Sequence, residues 1–151
     1  MKQLLSNLIL ISLFGLPIYS YAEIANNTSA VESFLKNEQL ANEGNIFSQY
    51  NLGLMYSNGK GVRQDYTKAL EWYQKAANQG YANAQYNLGL MYEEGEGVQQ
   101  NHTKALEWYQ KAANQGDAEA QNNLGVIYAK GKGVQQNHTK ALEWYQKAVD
   151  Q

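Results

Sequence analysis

The chain has 151 residues, of which 44% are hydrophobic, with a formal net charge of −2 and no cysteine. That is enough apolar material for a continuous core, while disulfides and thiol chemistry are excluded. The mildly acidic balance argues against nucleic acid or an anionic membrane surface as a partner.

Lys2 precedes a mostly apolar run, Leu4–Leu16, and Ser20-Tyr21-Ala22 places small residues at the two positions a signal peptidase inspects. Cleavage after Ala22 is expected, which makes residues 1–22 a signal peptide. The run is shorter than the roughly 20 apolar residues that cross hydrocarbon, so no stable membrane insertion is expected once it is removed. No cysteine is available to accept a lipid. The expected location is periplasmic or secreted, and the mature chain carries eleven basic against fourteen acidic residues, a net charge of −3.

Residues 23–43 read as a linker and a capping helix. Ser29-x-x-Glu32 is a capping-box signature, and Ala41-Asn42-Glu43-Gly44 lies one period before Ala77-Asn78-Gln79-Gly80. A degenerate helix is expected over Ser29–Glu43. Phe34 and Leu40 would face the array, and Lys36, Asn37 and Glu38 would face water.

From Gly44 the chain repeats itself. ALEWYQKAANQG stands at Ala69–Gly80 and again at Ala105–Gly116, and ALEWYQKAVDQ closes the chain at Ala141–Gln151. Trp72, Trp108 and Trp144 are 36 residues apart, as are Leu52, Leu88 and Leu124. Residues 44–79, 80–115 and 116–151 are therefore three copies of one unit, the mark of a repeat array. In the middle copy Gln85, Leu88, Gly89 and Tyr92 recur at helical spacing, which predicts a helix A over Tyr81–Glu94, stopped by Gly95 and Gly97. Val98 pegs the loop to the core. Asn101, like Asp65 and Asn137, is expected to cap a helix B whose inner face holds Ala105, Trp108, Tyr109 and Ala112. Glu107 and Lys111 are spaced to pair on its outer face, and Gly116 is expected at its C-terminal cap. Gly89 and Ala105 let the helices of one unit approach while Trp108 and Tyr109 fill the space toward the next. On that reading Trp108→Ala removes about 3–5 kcal/mol. Tyr145, Ala148 and Val149 are expected to form an open edge on the last helix, through which self-association would be favoured.

The runs LGxxYxxGxGVxQ and KALEWYQKAAxQG resemble the Sel-one-like repeat family, relatives of tetratricopeptide repeats with a longer inter-helix loop. The resemblance covers Gly44–Gln151. It implies an all-α solenoid of three 36-residue helix-turn-helix repeats, capped here by an N-terminal helix, whose A helices line a concave surface that binds other proteins or peptides, often in the bacterial envelope. By position that surface comprises Phe47, Tyr50 and Leu54, then Asn83, Tyr86 and Leu90, then Glu119, Asn122 and Val126. The copies differ most there, running from an aromatic end to a polar one, with Asn51, Asn87 and Asn123 beside it as candidate clamps for peptide amides. A cysteine-rich branch of the family is associated with β-lactam binding or hydrolysis. An enzyme or binder acting on cell-wall material or β-lactams is thus the alternative, although the cysteines of that branch are absent.

Catalytic and metal chemistry find little support. Ser29, Ser33, Ser48 and Ser57 lie in no nucleophile motif, and Gly59-x-Gly61 lacks the strand and third glycine of a phosphate cradle. His102 and His138 are one repeat apart, roughly 10 Å or more for packed helices, too far to share an ion. Glu93, Glu94 and Glu96 match no calcium loop and read as a solvated turn. Their counterparts in the other copies include Lys60, Lys130 and Lys132, so the loop charge alternates along the array, a pattern suited to orienting a partner or a second copy. No catalytic residue, metal ligand or cofactor is assigned. The expected role is a non-enzymatic adaptor for a protein or peptide.

Overall fold

The computed structural model describes residues 21–150, with side chains described from residue 27 onward. The export signal expected over 1–22 lies outside the described residues except for its last two, which belong to the first helix. Among the described residues there are seven helices and no strand: α1 Tyr21–Asn42, α2 Ile46–Asn58, α3 Tyr66–Asn78, α4 Ala82–Glu94, α5 His102–Ala113, α6 Ala118–Lys130 and α7 His138–Val149. The closest packing is within the hairpins α2/α3, α4/α5 and α6/α7, and each hairpin then packs on the helix before it. This is the all-α solenoid read from the repeats.

The local signals act where the sequence puts them. Asp65, Asn101 and Asn137 each hold extended backbone, and their side chains accept from the amides of Lys68, Lys104 and Lys140 at 3.0, 2.9 and 2.9 Å. The A helices end on Gly59, Gly95 and Gly131 in the left-handed region, where a Cβ is unfavourable. Gln64, Gln100 and Gln136 then donate across the loop to the carbonyls of Ser57, Glu93 and Ala129, at 2.7 Å in every copy. Helix α5 ends at Ala113, with Asn114 as its cap, and Gly116 follows at φ +91.

Two packing rules hold the copies together. Within a repeat, a Cβ on Gly89 would lie 2.5 Å from two ring carbons of Tyr109, which is fully buried. The tyrosine therefore fills its own hairpin, and the expectation that it reaches for the neighbouring unit is corrected. Trp108 touches both core clusters, but it is only half-buried and Lys111 Nζ sits 3.8 Å from its ring centre. Lys111 thus stacks on Trp108 instead of pairing with Glu107, and truncating a partly exposed ring forfeits less than the loss expected for a buried one. Between repeats, the second loop glycine docks on an earlier helix, at the start of a B helix or, for Gly61, within α1. A Cβ on Gly97 would meet the Tyr66 carbonyl carbon at 2.5 Å, and one on Gly61 would meet the Ala30 carbonyl oxygen.

Ala30, Tyr66 and His102 are related by the 36-residue period, so α1 occupies the place of a B helix. Phe34 is buried with its ring edge-on to Tyr56 at 5.5 Å, and Leu40 is half-buried. The capping box is corrected: α1 runs unbroken through Ser29, so the amides it would serve are already paired inside the helix.

A buried glutamine ladder was not foreseen. Gln49, Gln85 and Gln121 are buried and donate to the carbonyls of Ala41, Ala77 and Ala113 in the last turn of the preceding helix. Gln79 and Gln115 donate to the side-chain oxygens of Gln49 and Gln85 at 2.7 Å. The last turns of α1, α3 and α5, whose carbonyls also accept from Gly44, Gly80 and Gly116, are thus stitched to the A helix that follows.

Candidate functional site

The nine residues expected on the concave face divide by exposure. Phe47, Asn83, Glu119 and Asn122 are exposed, whereas Tyr50, Leu54, Tyr86, Leu90 and Val126 are half-buried. The half-buried tyrosines have a structural reason. The Tyr50 hydroxyl faces the amide side chains of Asn83 and Asn87 on α4, and that of Tyr86 faces Glu119 and Asn123 on α6. Each A helix thus reaches the next through a tyrosine whose partners stand 33 and 37 residues on. Asn87 and Asn123 also face Tyr73 and Tyr109. Two of the three asparagines expected as peptide clamps are therefore engaged inside the protein, and the third, Asn51, is exposed and donates to Asn37 at 3.3 Å.

The rings continue this chain of contacts. Tyr50 lies 5.0 Å from Tyr81 and 5.8 Å from Tyr73, and Phe47 meets Tyr81 edge to face at 5.5 Å. These are favourable aromatic geometries. Phe47 keeps 60% of its surface in water. Tyr81 was expected inside helix A but stands at its N-cap, and its side chain caps nothing, while Asn45 and Asp117 at the matching positions accept from Ser48 and Ala120 at 2.9 and 2.8 Å. The middle repeat has an aromatic contact where the others have a cap.

Burial, reinforced by the Glu119 carboxylate, pushes the Tyr86 hydroxyl up to about 12. Tyr109 is raised by burial and by donating to Glu93 Oε2 at 2.8 Å. Tyr50 is raised by burial and by neighbouring Tyr81. All three stay protonated at neutral pH, and Tyr86 and Tyr109 face carboxylates as donors. Glu93 also takes Lys132 Nζ at 3.5 Å, so the alternating loop charges are partly spent within the protein.

Open hollows flank the face. One of about 340 Å³ is lined by residues including Asn37, Asn51, Leu54 and Lys60, and one of about 550 Å³ by Tyr86, Glu119, Asn122, Asn123, Tyr145 and Val149. On α7, Leu142 and Val149 are 69% and 78% exposed, and Tyr145 and Ala148 are half-buried. Among the described residues no group of three or more His, Asp or Glu could hold a metal ion, and no helix is long and apolar enough to cross a membrane. The arrangement offers surface, hydrogen-bond partners and charge to a ligand.

The Sel1 repeat family model matches residues 46–81, 82–117 and 118–151. Among solved structures the chain is similar to c5321, a protective antigen of uropathogenic Escherichia coli with an SLR fold, at 40% identity and a TM-score of 0.76 over 78% of this chain and 25% of that one. It is similar to a Sel1 repeat protein from Oxalobacter formigenes at 33% identity and a TM-score of 0.76, over 80% of this chain and 49% of that one. Helicobacter pylori cysteine rich protein B matches at 27% identity and a TM-score of 0.62, over 82% of this chain and 86% of that one. The chain thus spans a quarter of the first of these relatives and about half of the second. No curated protein matches it.

Proposed function

The chain belongs to the Sel1 repeat family, and we propose that it is a non-enzymatic adaptor of the bacterial envelope that holds a protein or peptide segment on its A-helix face. Sel1 repeats commonly serve protein interaction, and this chain spends its copied aromatics, alanines and glutamines on cohesion. The observation that carries the reading is Phe47: a large ring, 60% exposed, on the face where the three copies diverge. Its contact with Tyr81 still leaves most of the ring open to a partner. The apolar start of the chain supports export, and the residue classes on the face support extended-segment binding.

The test is photo-crosslinking in cells, with p-benzoylphenylalanine at Phe47 or Val126 on the A-helix face and at Glu107 on the exposed side of α5. Adducts from the first two sites and none from the third are expected. Adducts from Glu107 alone would discard the face. The β-lactam alternative is checked by offering labelled penicillin to the purified protein, where covalent labelling would overturn the adaptor reading.

A further inference from the structure

The face is polar in one direction, and this specifies what it holds. We infer, building on the adaptor reading above, that its ligand is a protein segment with a large apolar or aromatic side chain for the Phe47/Tyr81 patch and a lysine or arginine for Asp117 and Glu119.

Three observations support this partner chemistry. The aromatic end exists at the expense of a helix cap: Tyr81 stands where Asn45 and Asp117 cap their helices, and its ring lies on Phe47 and Tyr50 instead. The α4 amides thus lack the side-chain acceptor that caps α2 and α6, yet the contact leaves Phe47 largely in water. The acidic end lies on the same continuous surface, since Tyr50 faces Asn83 and Tyr86 faces Glu119. The charge of Asp117 is felt at both tyrosine hydroxyls. Finally, the residues between the two ends, Asn83, Tyr86 and Asn122, include no cation. Glu119 is exposed, and Asp117 and Glu119 have no basic side chain paired with them among the described ion pairs. A basic group on the ligand would therefore meet an unneutralised pair of carboxylates. The two ends stand on alternate helices one to two repeats apart, farther than the roughly 10 Å between directly packed neighbours, so at least about three residues of extended chain at ~3.3 Å each lie between them. The fixed rings prepay part of the ordering cost of binding.

The test is selection from a random linear peptide library displayed against the full immobilised protein, followed by binding of the enriched peptides. Enriched sequences are expected to pair an apolar or aromatic residue with Lys or Arg at least about three positions away. Asp117→Asn with Glu119→Gln keeps the cap and the Tyr86 contact while removing the charge. It should weaken an enriched basic peptide about five-fold and flatten its salt dependence. Phe47→Ser should weaken it about ten-fold. Enriched peptides that are acidic or neutral, or affinity that ignores both variants, would overturn the inference while leaving the adaptor reading standing. No enrichment at all, or self-association that Phe47→Ser abolishes, would overturn both.

Discussion

Replacing Gly89 by alanine separates two effects of opposite sign. Within α4 the alanine is the better helix former by about 1 kcal/mol. Against this, its methyl would lie 2.5 Å from Cδ1 and Cε1 of Tyr109 and 3.0 Å from Cγ. That ring has nowhere to go: Tyr109 is fully buried, its hydroxyl is held by Glu93 at 2.8 Å, and Ala105 and Ala112 beside it are buried too. Overpacking of a closed core costs about 1–3 kcal/mol, and with no free direction the upper part of that range applies. The net expectation is a loss of about 1–2 kcal/mol, read as a lowered urea midpoint and melting temperature by circular dichroism. Gly125→Ala supplies the control. Its methyl would meet Tyr145 just as closely, at 2.4 Å, but Tyr145 is half-exposed beside an open hollow and can swing away. That variant should be neutral or up to about 1 kcal/mol more stable. On a Tyr109→Leu background, Gly89→Ala should likewise turn stabilising, which exposes the coupling in a double-mutant cycle. A Gly89→Ala protein as stable as the parent, or a Gly125→Ala protein damaged equally, would refute the packing account.

Tyr109→Phe should cost about 1–2 kcal/mol in urea denaturation, because it removes the donor to the Glu93 carboxylate, whereas Tyr73→Phe gives up a 3.4 Å contact with Ser57 and the facing Asn87 amide, both uncharged, and should cost less. Gln85→Leu should lower the melting temperature more than Gln74→Leu. The first strips Ala77 O and Gln115 of buried partners, and the second acts on a half-buried side chain bonded to Asn78. The fold keeps the Tyr86 proton up to about pH 12, while an unfolded chain releases it near its ordinary value of about 10. Stability is therefore full below about pH 10 and declines as pH rises through about 12. Tyrosinate absorbance and circular dichroism should change together in that window, and Tyr86→Phe should move the unfolding limb to higher pH.

What could be read directly from the sequence was whatever is decided within a few residues or by the period. The caps at Asp65, Asn101 and Asn137 are local hydrogen bonds, and the hairpins follow from copied spacing. Lys111 was paired with the wrong neighbour because a ring three residues back competes with a carboxylate four residues back, and partial burial of Trp108 decides for the ring. Periodicity placed Trp108 and Tyr109 together on an inner face, but which of them is sealed depends on where the helices cross, at Gly89. The glutamine ladder was hidden because residue type alone suggests solvent, although Gln49, Gln85 and Gln121 share one repeat position and Gln79 and Gln115 share another. Position in the unit places the nine residues of the candidate face on A helices but does not give their exposure, which divides four to five. The cross-repeat partners of Tyr50 and Tyr86 were not legible, since they depend on the offset between neighbouring A helices.

The docking of each second loop glycine on the same period position of an earlier helix, at Ala30, Tyr66 and His102, makes the junctions interchangeable. Excising residues 80–115 would rejoin Gln79 to Gly116 with every seat still occupied. Tyr50 would then inherit the neighbours of Tyr86, namely Glu119 and Asn123, and Phe47 would look across at Asp117 in place of Tyr81. Shortening the array by one module would thus fuse its greasy and acidic poles into a single spot, so that copy number itself becomes a dial on which ligands the surface accepts.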